Sequence, residues 1–314
     1  MGFVNRRSFV QLAGATCLAS GIVSAESRRE NSFGGSSAIP RLGVVVKVDA
    51  GGSSEATIRH VHDLGLPTCQ IFYEHLSMGE VTPLLQALSK YGIKISAVSE
   101  HNPGPRSFDF HQGPLTIGII PPEYRRARID ALKLAADFAH ACNIPSIHTH
   151  LGFIPEDPND PKYPVAITAI NEVAQHCKDQ GIMLLCETGE ETPITMLRMI
   201  QDVRTGNIFV NLDTANLILY GKGNPVDAMD VFGHLVRGVH AKDGQFPTDP
   251  RNLGEEVPIG TGKVDFPVLF KRLKEVNYTG AVTIEREISG PRQVTDILES
   301  KVYLQNLINA NYRK

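Results

Sequence analysis

Three acids and one histidine share a placement: each closes a short apolar run. Ile182-Met183-Leu184-Leu185-Cys186 ends in Glu187, Ile208-Phe209-Val210-Asn211-Leu212 in Asp213, Leu235-Val236-Arg237-Gly238-Val239 in His240, and Ala281-Val282-Thr283-Ile284 in Glu285. One imidazole and three carboxylates are a hard, oxygen-rich donor set that suits a divalent cation, Mn²⁺ foremost, with Mg²⁺, Co²⁺ or Zn²⁺ also compatible. Without a cation, three carboxylates brought together would repel and lift one another's pKa values. With one, negative charge is left over, so a carboxylate can also act as a base. A single acid after a strand is unremarkable, because Asp and Glu commonly open loops. Four successive strand ends of this kind form a pattern.

For those ends to meet, the runs must be neighbouring strands with a common rim. Short β-branched runs do alternate with helical patterns along the chain. The strands are expected at 42–48, 69–73, 93–98, 146–150, 182–187, 208–213, 236–240 and 281–285. Helices are expected at 55–64, 81–91, 124–141, 165–180, 194–203, 227–232, 267–275 and 291–310. Within 124–141, Ala127, Ile129, Leu132, Leu134, Ala135, Phe138 and Ala139 recur at helical spacing and predict the buried face. Eight strand–helix pairs make an α/β chain, either a (β/α)8 TIM barrel or a long open sheet. The turn Asp49-Ala50-Gly51-Gly52-Ser53-Ser54 lacks the G-x-G-x-x-G spacing of a doubly wound sheet, which favours the barrel.

Two connections are long, 100–122 after the third strand and 243–263 after the seventh. Both leave the face where a barrel carries its active site, so they are expected walls or lids. Further polar residues cluster at that face. Glu74, Glu100 and His101 end the second and third strands and are expected to line the pocket. His148 and His150 are two apart and point the same way; His150, nearer the rim, is a substrate contact and His148 a buried supporting histidine. Lys242 lies two residues beyond His240. It is expected either to neutralise negative charge in the pocket or to hold a carboxylate, or else to be a solvent-facing loop lysine. Gly260 and Gly262 could cup a phosphate, but a turn into a helix capped by Asp265, with Pro267 in its first turn, is the favoured reading.

The chain of 314 residues carries a net charge of −3, which implies no dominant basic surface and disfavours nucleic acid as the main partner. Its N-terminus differs from the rest. Arg6-Arg7-Ser8-Phe9 precedes the mildly apolar stretch 10–23, and Val23-Ser24-Ala25 is a small-x-small cleavage site. This arrangement resembles a twin-arginine export signal. The expected organisation is a signal at 1–25, a flexible leader at 26–40 and a barrel at 41–314, with a periplasmic mature protein not inserted in a membrane. Removal of the signal takes away two arginines and no acid, shifting −3 to −5. Cys69, Cys142, Cys177 and Cys186 lack metal-type spacing and are expected as buried free thiols.

Cys186-Glu187-Thr188-Gly189, Asn211-Leu212-Asp213-Thr214-Ala215-Asn216, His240-Ala241-Lys242-Asp243 and Thr283-Ile284-Glu285-Arg286-Glu287 resemble the xylose-isomerase-like TIM barrels over residues 41–310. That group includes sugar isomerases and epimerases, inosose dehydratases and endonuclease IV. The resemblance implies that Glu187, Asp213, His240 and Glu285 hold one divalent metal. A cation chelating a carbonyl oxygen and the adjacent hydroxyl stabilises an enediolate. Epimerisation then needs a base on one face of the carbon and an acid on the other, roles that fall to Glu187 and Glu285. Endonuclease IV needs further metal ligands where this chain has Asn216 and Gly254-Glu255-Glu256, which disfavours a nuclease. The ketohexose 3-epimerases carry substrate-binding residues where this chain has Asn216, Pro193 and Phe246. The metal centre is therefore kept while the sugar-binding shell differs, and Asn216 becomes a candidate substrate contact of its own. The sequence thus predicts an isomerase or epimerase of a sugar or sugar-derived hydroxy-ketone, compatible with a homo-oligomer. The alternatives are a dehydratase on the same scaffold and a non-catalytic carbohydrate-binding barrel.

Overall fold

The computed structural model describes residues 39–100 and 103–313. The paired arginines, the apolar stretch after them, almost all of the leader and His101 lie outside the described residues. Strands β1 (Arg41–Val48), β2 (Thr68–Tyr73), β3 (Lys94–Glu100), β4 (Ser146–Thr149), β5 (Met183–Glu187), β6 (Ile208–Asp213), β7 (Val236–Ala241) and β10 (Ala281–Ile284) close into one parallel barrel in the order β1-β10-β7-β6-β5-β4-β3-β2. The chain is a (β/α)8 TIM barrel. Between β7 and β10 a two-stranded antiparallel hairpin, β8 (Asp243–Gly244) with β9 (Glu256–Val257), occupies the second long connection.

Helices α1 (Ser54–Asp63), α2 (Val81–Tyr91), α4 (Arg125–Ala141), α5 (Lys162–Asp179), α6 (Pro193–Val203), α8 (Pro225–Phe232), α9 (Phe266–Glu275) and α10 (Pro291–Tyr312) surround the strands, with two one-turn helices, α3 (Gly113–Thr116) and α7 (Asn216–Leu219), in the loops. Local signals set their ends. Ser53 caps α1 through Ala56 N at 3.2 Å, and Asp265 caps α9 through Val268 N at 3.1 Å. Proline stands in the first turn of α6, α8, α9 and α10, where its missing N–H costs no helical bond. Among the described residues no helix is long and apolar enough to cross a membrane.

The apolar face of α4 departs from expectation at one step. Ile129, Leu132, Ala135, Phe138 and Ala139 are buried, but Ala127 faces solvent and Arg128 is fully buried. The guanidinium takes the inward position because three backbone carbonyls receive it: Pro103 O at 2.8 Å, Gly118 O at 2.6 Å and Pro105 O at 2.9 Å. Those carbonyls belong to the first long connection, so α4 and that loop are fastened together.

Register delivers the polar strand ends to one rim. Asp213 pairs with His240 across β6 and β7, Glu187 with Asn211 across β5 and β6, and Thr283 with His240 across β10 and β7. Glu285 lies one residue past β10 and its N–H donates to Ala241 O at 3.0 Å, which continues the ladder. His150 lies one residue past β4. The four described cysteines are free and buried, and burial pushes the thiols of Cys69 and Cys177 up to about 12 and that of Cys142 to about 11.

Candidate active site

Glu187, Asp213, His240 and Glu285 each bring one ligand atom to a common point, all four atoms within 4.8 Å of one another. His240 Nδ1 lies 3.3 Å from Glu187 Oε1, 3.3 Å from Glu285 Oε2 and 3.9 Å from Asp213 Oδ2. Its other nitrogen, Nε2, lies 2.7 Å from Gln70 Oε1. With Nε2–H donating to that amide oxygen, the Nδ1 lone pair faces the three carboxylates. Facing those negative oxygens, Nδ1 takes up either a proton or a cation, and each places positive charge between the ring and the carboxylates.

The electrostatics of the carboxylates agree. Asp213 Oδ1 accepts from the amides of Ala215 and Asn216 at 2.8 and 2.7 Å, but Oδ2 is buried without a hydrogen-bond partner. Burial, together with Glu285 and Glu187, drives the Asp213 carboxyl well above its usual range, against the pull of Lys242. Burial would also raise Glu187, yet the imidazoles of His150, His148 and His240 outweigh it and hold that carboxyl well below the usual range. Burial would favour neutral His240, but Glu285 and Glu187 drive its pKa well up. An orphaned buried carboxylate oxygen, a correctly turned imidazole and two further acids fit a hard divalent cation.

A second circle of residues orients the first. Gln70 also donates through Nε2 to Asn211 Oδ1 at 3.1 Å, and Gly238 leaves room for that amide, since a Cβ there would sit 2.2 Å from Asn211 Oδ1. Asn216 Nδ2 donates to Glu187 Oε1 at 3.1 Å, so this side chain holds a carboxylate. Lys242 is buried, with Nζ 3.3 Å from Glu285 Oε2 and 2.6 Å from Glu287 Oε2. Burial would strip its proton, but Glu285, Glu287 and Asp213 keep it charged. It is the carboxylate-holding reading of Lys242, and not the loop lysine, that the structure displays.

His148 is buried and its Nε2 pairs with Glu187 Oε2; with Glu187 and His240 it makes a second grouping of possible ligands. His150 is partly exposed, with Nε2 3.1 Å from Glu187 Oε2 and Nδ1 2.9 Å from Glu190 Oε1. Burial alone would lower its pKa, but Glu187 and Glu190 push it up to about 10. Glu74 sits apart from the cluster, accepting from Ala50 N at 3.1 Å and pairing with Lys47 at 3.3 Å. Gly260 and Gly262 cup no phosphate: their amides donate to Asp243 Oδ2, both at 2.9 Å, while Asp243 Oδ1 takes Gly244 N and Val264 N. Gln70, Asn211, Glu190 and Glu287 join the site without standing out in the sequence. The signal for the first two is a polar side chain inside an otherwise apolar strand.

A cavity of about 1230 Å³ opens over the cluster, lined by Glu187, His240, Glu285, His148 and His150 at its floor and by Phe72, Arg106 and Phe108 along one wall. That volume exceeds the usual range of about 300–1,000 Å³ for sites that enclose a drug-sized ligand.

The barrel, the rim position of the cluster and its donor set define a TIM barrel with a candidate metal site. Residues 58–306 match the family described as Xylose isomerase-like TIM barrel, and the chain belongs to that family. The structure is similar to that of a xylose isomerase domain protein from Planctomyces limnophilus, with a TM-score of 0.81, 29% identity and coverage of 88% of this chain and 100% of that one. It shares its fold with an L-ribulose 3-epimerase, at a TM-score of 0.67 and 16% identity over 88% of this chain and 96% of that one. In sequence it is 24% identical to an inosose dehydratase from Clostridium botulinum over 41% of this chain and 48% of that enzyme. The chain spans 63% and 48% of the lengths of the first two curated relatives it matches.

Proposed function

We propose that this protein is a divalent-metal-dependent isomerase or epimerase acting on a sugar or sugar-derived hydroxy-ketone. The observation that carries the reading is the convergence of Glu187, Asp213, His240 and Glu285 within 4.8 Å, with Asp213 Oδ2 buried and unpartnered. These four residues would hold the cation, which supplies positive charge for a substrate carbonyl and its neighbouring hydroxyl.

The chain's own groups do the rest. Glu187, kept ionised by its three histidines, takes the proton from the carbon between the two oxygens. Glu285, which follows β10 on the other side of β7 from β5, relays a proton to the opposite face. Lys242, charged and 3.3 Å from Glu285 Oε2, holds that carboxylate and supplies the proton it relays. Asn216 and His148 fix the rotamer of Glu187.

One observation favours a second reading, a dehydratase. A buried ammonium beside Glu285 is a proton source for a departing β-hydroxyl, and one curated relative is an inosose dehydratase. Incubation of the Mn²⁺-loaded protein with D-fructose, 2-keto-myo-inositol and 3-keto-glucosides in D₂O separates the two. An isomerase or epimerase incorporates deuterium without loss of water, and a dehydratase gives a product lighter by one water. Full metal-dependent turnover in both Glu187→Gln and Glu285→Gln would sink the catalytic assignment. We also propose that the protein is exported, on the strength of Arg6-Arg7 and the Val23-Ser24-Ala25 run; recovery in the cytoplasmic fraction alone, with residues 1–25 still attached, speaks against it.

A further inference from the structure

The first long connection is built as a fixed wall. Arg128 donates to the carbonyls of Pro103, Pro105 and Gly118, gripping both ends of the loop from beneath. Its guanidinium also stacks over the Tyr124 ring at 4.8 Å. Inside the loop Asp109 Oδ1 accepts from the amides of His111 and Gln112 at 2.7 and 2.6 Å, and Ser107 N donates to Thr116 Oγ1 at 3.1 Å. At Gly118, φ is +69° and a Cβ would lie 2.0 Å from Leu151 O, so the loop passes directly against the segment after β4. Ile119 N donates to that same carbonyl at 3.0 Å. The wall and the segment carrying His150 are thereby tied backbone to backbone.

At the crest of this wall stands Phe108, 47% exposed and lining the cavity. Its ring meets His150 edge-on, centroids 5.6 Å apart, and His150 in turn lies 3.1 Å from Glu187 Oε2. Beside it the Arg106 guanidinium lies over the Phe72 ring at 5.6 Å. What sets Phe108 apart from Leu115, an exposed apolar residue of the same loop, is that its ring borders the cavity. Its negative π-face suits polarised C–H bonds, which sugar rings present on one side and hydroxyls do not. His150 touches Glu187 on one side and Phe108 on the other, so a substrate whose reacting carbon sits at Glu187 reaches the Phe108 ring by extending along His150.

We propose that Phe108 is the platform on which the C–H face of the substrate's sugar ring stacks, and that Arg128 positions it by pinning the loop at three carbonyls. This rests on the sugar-enzyme reading above and adds a specificity-determining residue to it, with Arg128 acting only through the loop.

The chain contains no tryptophan, so Phe108→Trp places a single fluorophore on the wall. Titration of this variant, loaded with Mn²⁺, with D-fructose and with 2-keto-myo-inositol reads occupancy of the wall without requiring turnover. A saturable change in emission with at least one of the two is expected; no change with either overturns the platform. For a sugar that is turned over, Phe108→Ala should raise KM about 5- to 10-fold with kcat within about twofold, and Phe108→Tyr should restore KM. An unchanged KM in Phe108→Ala likewise overturns it. Hydrogen exchange tests Arg128: in Arg128→Lys, which keeps the charge but reaches fewer carbonyls, amides of 103–118 should exchange roughly tenfold faster while the barrel strands do not. Exchange like that of the parent protein overturns the positioning role. An emission change without any deuterium incorporation or loss of water would count against the enzyme reading and leave the platform standing. Turnover by the Phe108→Trp variant with no change in its emission would do the reverse.

Discussion

Gln70 Oε1 and His240 Nε2 lie 2.7 Å apart, and this one contact decides which nitrogen of the histidine faces the carboxylates. Gln70 belongs to β2, which β1 and β10 separate from β7, so the bond crosses the lumen of the barrel. Replacing Gln70 by Leu keeps the volume and removes the acceptor. Cation affinity should fall about 10- to 100-fold, the usual effect of losing a hydrogen bond behind a ligating histidine. Calorimetric titration with Mn²⁺ reads it, and an affinity equal to that of the parent would show that the imidazole is oriented by packing alone.

Lys242→Met should destabilise the cation-free protein by about 3 kcal/mol, the scale for removing one partner of a buried ion pair. Glu285 would lose its counter-charge next to Asp213 and Glu187, whereas Glu287 is exposed enough to rehydrate. Urea unfolding measures the loss, and Mn²⁺ should recover part of it. A change below about 0.5 kcal/mol would mean that Lys242 is no more than a surface lysine in energy.

The buried thiols set an alkaline limit. Cys69 and Cys177 rise from 9.0 to about 12 and Cys142 to about 11, all through burial. A group raised on folding contributes fully below its unfolded pKa, and that contribution is lost as pH climbs through the folded value. Stability should therefore be insensitive to these groups below about pH 9 and fall between about pH 9 and 12. Iodoacetamide at about pH 8 should label them only after urea is added; rapid native labelling of Cys69 would contradict the burial.

Gly262 is required by a close approach. A Cβ there would meet Asp243 Oδ1 at 2.2 Å and Gly244 N at 2.7 Å. Gly262→Ala should cost about 1–3 kcal/mol as an overpacked site. Asp243→Asn at the other end of the same contact removes charge from bonds to four amides and should also destabilise. Thermal melts of both variants are the check, and a melting point unmoved by Gly262→Ala would refute the tight packing.

Every barrel strand is legible in the sequence to within about two residues at either end, because β-branched runs flanked by helical periodicity leave little choice. The four acid and imidazole groups are legible for a related reason: an ionisable residue closing an apolar run has nowhere to go but the rim. What lies hidden is whatever depends on a distant partner. Arg128 reads as the solvent side of α4 until the carbonyls of 103–118 are in place to receive it. Gln70 and Asn211 are ordinary polar residues until the barrel closes and brings β2, β6 and β7 around one lumen. Asp243 looks like one more acid after a strand, and only the returning segment 260–264 shows that it is there to bind amides. Periodicity reports which face is wet; it does not report which carbonyl will stand opposite.

The Asp243 cradle has a consequence for how this barrel can change over time. Four amides from 244, 260, 262 and 264 end on one carboxylate, which staples the base of the 243–264 excursion shut. The tip, residues 246–253, lies beyond that staple and is largely exposed. A change confined to the tip leaves these four bonds in place, and with them the join to β7 and His240. Residues 246–253 are therefore the stretch of this excursion where a loop of other length and composition is expected to be tolerated.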